Sequence, residues 1–196
     1  GDPGGSGDSG GPGSSGGPDG SGSSDGSDGQ RVVGVELDNG ARLAASTVVL
    51  AAGCWTSRIG GLEGTLVGEK PVVRPVKGQV LRLRVPGQHE SFLGHTVRGW
   101  VHGVPVYLVP RADGTVVVGA TQEERGYDQT VTAGAVHDLL RDAQALLPAV
   151  SELAWVEACA GLRPGSPDNA PLIGVGATGP TGLVLATGHH RNGILL

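Results

Sequence analysis

The chain has 196 residues, 38% of them hydrophobic, which suits one domain or parts of two around a real core. Five aspartates within residues 1–29 account for the whole formal net charge of −5, and the balanced remainder has no basic stripe of the kind that binds nucleic acid. No apolar run approaches the roughly 20 residues of a membrane-crossing helix and no signal-peptide pattern is present, so no membrane partner is expected and the cytoplasm is the default location.

Residues 1–29 consist only of Gly, Ser, Asp and Pro, with no apolar surface to offset the entropy of ordering a backbone. They are expected to form a flexible, solvated linker. A chain without methionine that opens on Gly1 and stops on Ile194-Leu195-Leu196 in mid-pattern is expected to be a segment of a longer protein.

Residues 31–37 (RVVGVEL) and 42–52 predict a hairpin around Asp38-Asn39-Gly40, its second strand buried. That strand runs through Gly53 into Thr56-Ser57-Arg58-Ile59, a short helix start; a glycine there is either a plain turn or a place where backbone approaches a nucleotide. Residues 71–85 predict two short strands around a turn at Lys77-Gly78, with Lys77 solvated at a strand edge and 79–85 half-exposed. Trp100 falls in a short strand, and His89, His95 and His102 lack a spacing that shares one face, so no metal site is expected.

Residues 104–120 predict a hairpin closed by Ala112-Asp113-Gly114. Tyr107 lies in its first strand, to be read either as a packed tyrosine or as a site residue. Thr132 is a good N-cap for a helix ended by Pro148, with Val136, Leu139, Leu140, Ala143, Leu146 and Leu147 as its apolar stripe. Residues 153–162 predict a strand entering a stiff loop that begins at Arg163; a buried arginine there needs an anion, from a substrate or from an internal acid. Two short strands at 172–174 and 182–187 then lead to Gly188-His189-His190-Arg191-Asn192-Gly193-Ile194-Leu195-Leu196, which reads as a strand end running into the first turn of a helix and so as an anion-friendly site. Cys54 and Cys159 are expected to be buried, reduced thiols.

Several blocks occur in the order found in one family: 48–55 (VVLAAGCW), 75–79 (PVKGQ), 107–111 (YLVPR), 118–121 (VGAT), 160–165 (AGLRPG), 171–174 (PLIG) and 187–196 (TGHHRNGILL). Together they resemble the FAD-dependent amine oxidases of the D-amino-acid oxidase group, and within it the glycine oxidases of thiamine biosynthesis. The resemblance covers residues 31–196. It implies an α/β (α+β) fold, a partial two-domain architecture with a mixed substrate-domain sheet and part of a dinucleotide-binding domain. It divides the chain into a linker (1–29), part of the FAD-binding domain (30–74), the substrate domain (75–158) and a return to the FAD-binding domain (159–196). No G-x-G-x-x-G set between a strand and a helix occurs, and the resemblance would place that fingerprint upstream of Gly1.

The resemblance also implies roles. Arg163 would pair with a substrate carboxylate and Tyr107 would help hold it. Arg191 would lie near the reacting centre, while Gln122 and His190 would touch substrate at positions where the family more often has apolar or aromatic residues. Gly53, Gly188, His189, His190, Arg191, Asn192, Gly193, Ile194 and Leu195 would contact FAD. The implied reaction is hydride transfer from glycine or another small amine to the flavin, with O₂ reduced to H₂O₂. A sarcosine oxidase-like or D-amino-acid dehydrogenase-like enzyme is the neighbouring alternative, and a partial domain without cofactor the remote one; homo-oligomerisation is left open.

Overall fold

The computed structural model describes residues 30–62, 73–87, 92–175 and 179–195. The expected linker, residues 71–72, His89 and Leu196 lie outside the described residues. The first hairpin forms as expected, with β1 (Gly34–Glu36) antiparallel to β2 (Arg42–Ala44) around a turn in which Gly40 takes a positive φ of 80°. The second strand does not continue to residue 52. After Ala45 the chain leaves the hairpin, and β3 (Val48–Leu50) joins a separate sheet, parallel to β10 (Leu183–Thr187), which is itself antiparallel to β9 (Leu172–Val175). Only Leu50 of β3 is buried, which corrects the expected buried run. The switch is made at Gly182: a Cβ there would overlap the Ser46 carbonyl, so only glycine lets the two backbones meet and Val48 N–H reach Gly182 O at 2.9 Å.

The larger sheet has five antiparallel strands. Its order is β5 (Val97–Val101), β6 (Val104–Pro110), β7 (Thr115–Gly119), β4 (Arg74–Arg84) and β8 (Ala154–Gly165). The β6–β7 hairpin closes where Asp113-Gly114 predicts, while β5–β6 closes through His102 and Gly103, both at positive φ, a two-residue turn of the primed kind. The structure replaces the two short strands expected over 71–85 with one continuous β4, in which Lys77 and Gly78 pair with Leu162 and Gly161 of β8.

Antiparallel register puts directly opposed residues on one face. Leu81, Val118 and Leu108 form one such row, and with Leu83 and Val116 they make the buried face of the sheet. Helix α1 (Ala133–Leu146) covers that face through Leu139 and Ala143, with Val136, Leu140, Leu146 and Leu147 packed around them. Its start is as expected: Thr132 Oγ1 accepts from Ala135 N–H at 3.3 Å, and Pro148 opens a 3₁₀ turn past its end. His137 and Asp138 face solvent. Gly99 of β5 makes room for the helix, since a Cβ there would meet Leu146 Cδ1 at 2.6 Å.

The segment linking β7 to α1 is bound to β4 by buried polar groups. Lys77 is 1% exposed, its Nζ donating to Thr130 O and reaching Asp128 Oδ2 at 3.4 Å, so it is not the solvated edge lysine that a turn would imply. Gln79 donates from Nε2 to Glu123 (2.7 Å) and accepts from Thr132 N–H (2.9 Å), which anchors the start of α1 on the sheet. Tyr127 from the same segment donates to Cys54 O at 2.7 Å and carries Arg58 over its ring, tying the 3₁₀ turn Gly53–Arg58 to this unit. Cys54 is buried; Cys159 is free but only half-buried, since it sits on the open face of the large sheet in the Val80 row.

Candidate active site

The other face of the large sheet is open, and the same register determines what stands on it. Arg98, Tyr107, Gly119 and Val80 are opposed in turn across β5, β6, β7 and β4. Two positions along β4 from Val80 lies Gly78, and two further lies Val76, the partner of Arg163. Tyr107, Gly119, Gly78 and Arg163 therefore share one face.

The glycines are the floor of this face. A methyl at Gly119 would overlap the Tyr107 ring, and one at Gly78 would overlap the Arg163 guanidinium. Each large side chain lies flat across a neighbouring strand that has no side chain in the way, and this is why Lys77-Gly78 sits inside a strand and not in a turn.

Arg163 is likewise inside β8 and not in the loop after it, a second correction to the expected boundary; the stiff loop starts at Ser166. Its Nη1 donates to Thr121 O (3.2 Å) and Lys77 O (3.4 Å), and among the described residues no carboxylate is within ion-pair distance. Burial pushes its guanidinium below the ordinary value; the adjacent Tyr107 opposes that shift and Arg191 adds to it. Thr121 is held in turn by Gln79, whose N–H donates to Thr121 Oγ1 at 2.9 Å and whose carbonyl accepts from Thr121 N–H at 3.2 Å. Glu123 accepts from Thr121 Oγ1 at 2.6 Å. Burial would raise the Glu123 pKa, but hydrogen bonds from Thr121 and Gln79 and the Lys77 charge hold it below the usual range.

The terminal segment reaches this face by pairing with the end of β8. His189 bridges Gly165, and His190 N–H donates to Pro164 O at 2.8 Å, one residue beyond Arg163. Past that point the chain makes successive turns, with Asn192 N–H to His189 O and Leu195 N–H to Asn192 O, both 2.8 Å; among the described residues no helix begins at Asn192 as expected. His190 has φ 48° and a buried Nε2 without a hydrogen-bond partner among the described residues. Burial, then Arg191, Arg163 and Arg74, push its pKa down against Glu124, so the ring is neutral at neutral pH.

The structure brings Tyr107, Arg163, His190, Arg191, Asn192, Gly193, Ile194 and Leu195 together in one open cleft of about 1120 Å³. Gln122, Gly53, Gly188 and His189 are not among its walls. Gln122 is exposed, and Gly53, at φ 56°, stands beside the end of β10, where its carbonyl accepts from Thr56 Oγ1 (2.7 Å) and Thr187 Oγ1 (3.1 Å). Sequence reasoning missed Arg98 and Arg111, which also line the cleft. Arg98 is detectable only from its place opposite Tyr107, once β5 and β6 are aligned. Among the described residues, the cleft walls have four arginines and no acidic residue. Among the described residues, the N–H groups of Arg191, Gly193 and Ile194 donate to nothing. Free donors and cationic walls fit an acceptor-rich, electron-accepting ring such as that of FAD.

A small sheet with a parallel strand pair, joined to a large antiparallel sheet whose open face carries an arginine–tyrosine pair, defines part of a two-domain flavoprotein oxidoreductase. A family model described as FAD dependent oxidoreductase matches residues 23–196, and the chain belongs to that family, whose cofactor is FAD. It is 44% identical over 166 residues to a glycine oxidase of Pseudomonas putida, covering 85% of this chain and 42% of the relative. It is 37% identical over 166 residues to the bifunctional protein ThiO/ThiG of Trichormus variabilis, covering 85% and 23%. Its fold is similar to the crystal structure of glycine oxidase from Geobacillus kaustophilus, with a TM-score of 0.70 and 36% identity over 87% of this chain and 42% of that one. The chain thus spans less than half the length of these relatives. No helix among the described residues is long and apolar enough to cross a membrane, and no group of His, Cys, Asp and Glu there could hold a metal ion.

Proposed function

We propose that this chain is the substrate domain (75–158) with flanking parts of the FAD-binding domain (30–74 and 159–196) of an FAD-dependent oxidase that converts glycine or another small amine-bearing acid to its imine. The observation that carries the reading is the Arg163–Tyr107 pair, laid over Gly78 and Gly119 in a cationic cleft where no carboxylate among the described residues neutralises the arginine. Arg163 would grip the substrate carboxylate through the guanidinium edge left free by the Thr121 and Lys77 carbonyls, in the bidentate manner that arginine allows and lysine does not. The Tyr107 hydroxyl would donate to the same carboxylate. When bound, FAD supplies the two-electron acceptor for oxidation of the Cα–N bond.

Arg191, Asn192, Gly193, Ile194 and Leu195, which line the cleft, would contact that cofactor, the free N–H groups of Arg191, Gly193 and Ile194 meeting negative charge as it develops. His190, neutral, would border substrate and cofactor without adding a cation. Gly53, Gly188, His189 and Gln122 would act from outside the cleft walls: the first three toward the cofactor, Gln122 toward substrate. The chain's own residues move no proton in this scheme: they fix a neutral amine in place, and positioning carries the catalysis. O₂ would be the final acceptor, giving H₂O₂, and the imine would hydrolyse to oxo acid and ammonia or enter thiazole formation for thiamine. The free thiols Cys54 and Cys159 suit a reducing, cytoplasmic setting.

The test is a substrate panel of glycine, sarcosine and D-alanine on the FAD-loaded protein of full family length, with peroxide and flavin absorbance as readouts. Flavin bleaching by glycine without oxygen and stoichiometric peroxide with it are expected. A bound flavin that none of the three amines reduces would refute the reading.

A further inference from the structure

Arg98 has no place in the site proposed above. It stands directly opposite Tyr107 on β5, the outermost strand of the large sheet, and on the same face. Strands lie ~4.8 Å apart, so its backbone is about one strand spacing beyond Tyr107 and about two beyond the Gly119 floor. Arg163 approaches Tyr107 from the opposite side, through its reach over Gly78. Tyr107 is therefore flanked by two arginines, both in the walls of one cleft that has no acidic residue among the described ones. Arg98 makes no ion pair with any described residue. Arg98 and Arg163 both line this cleft, one on either side of Tyr107, and an anion bound between two cations lowers the energy of both. Arg111 also lines the cleft, but it is four residues along the strand from Tyr107, about 13 Å away, whereas Arg98 is about one strand spacing from it.

We propose that Arg98 forms a second anion subsite beside Tyr107, so that the cleft selects amines carrying two carboxylates, one on Arg163 and the other on Arg98. The proposal rests on the reading of Arg163 as the first carboxylate's partner.

The test uses the FAD-loaded protein of full family length. kcat/KM is measured for N-(carboxymethyl)glycine and for N-propylglycine, an uncharged counterpart of similar size. Malonate and acetate are titrated by calorimetry as ligands that need no turnover. The wild-type protein should prefer the dianion in both assays. Arg98→Gln should lower both preference ratios on the order of tenfold or more, the loss of one charge-assisted hydrogen bond, and Arg111→Gln should leave them within about twofold. Ratios that are the same in Arg98→Gln and wild type overturn the subsite. If no amine is oxidised while malonate still binds in an Arg98-dependent way, the subsite stands and the oxidase reading falls.

Discussion

The two faces of the five-stranded sheet are built from the same strands and do opposite things. One face alternates Leu81, Leu83, Leu108, Val116 and Val118 under α1 and is closed. On the other face, glycine takes positions 78 and 119, and Arg163 and Tyr107 spread over the bare backbone. Period-two alternation alone assigns residues to a face; it does not say which face is the core. That is decided by where the helix lands, and Thr132 and Gln79 determine the landing by joining the start of α1 to β4. Stability should therefore reside on the α1 face and ligand recognition on the open one, and substitutions of matched size can separate them.

The largest contrast is expected between Arg163→Ala and Leu108→Ala. The first removes the proposed carboxylate clamp and should raise KM for glycine on the order of 10²-fold, with the melting temperature nearly unchanged. The second empties a fully buried site under α1 and should cost about 2–5 kcal/mol of stability, with KM unchanged in the protein that remains folded. Steady-state kinetics and thermal melts on both variants check the pair. Mixed effects in either variant would show that the faces are coupled.

Gly78→Ala sharpens the same division by adding a single methyl. The new Cβ must displace the Arg163 guanidinium, and misplacing a binding group by about 1 Å costs on the order of 10²-fold in kcat/KM. Anion titration should show the same loss without turnover. If Gly78→Ala binds acetate like wild type, Arg163 is not held by the glycine floor. A smaller effect is expected of Thr121→Val, which strips the hydroxyl from Gln79 N–H and Glu123 and leaves the carbonyl under Arg163 less firmly placed. It should cost about 1–3 kcal/mol in stability through the unpaired groups and raise KM a few-fold, linking the polar network to the open face.

Local chemistry made part of this legible in advance. The β6–β7 hairpin follows from Asp113-Gly114, and α1 from Thr132 at one end and Pro148 at the other, because those signals act within a few residues. The run through Lys77-Gly78 conceals its strand for the opposite reason. Its glycine answers to Arg163, 85 positions later, and its lysine to Asp128 and Thr130, so the dipeptide has a turn's composition and a strand's surroundings. The split between β2 and β3 is hidden likewise, since it depends on Gly182 leaving room for the Ser46 carbonyl. Of the site, Tyr107, Arg163 and the 190–195 segment were visible as motifs, whereas Arg98 gains meaning only from cross-strand register.

The smallest effect, a pH dependence, reaches the boundary of the open face. His190 has its pKa lowered by burial and by Arg191, Arg163 and Arg74, below its value of about 6.5 in an unfolded chain. Between those two values the unfolded chain binds the extra proton and the folded chain does not, so stability rises with pH there. The folded state is fully favoured above about pH 6.5 and loses stability as pH falls through the window to the lowered pKa, below which the loss is complete and constant. His190→Gln removes the titrating group, so melting temperature should fall less for the variant than for wild type between pH 7 and 5.5. Acetate affinity should show no inflection at about 6.5 in either protein, because the folded ring titrates below that value. An inflection that disappears in His190→Gln would mean that His190 is charged in the cleft and belongs with the arginines as an anion-binding group.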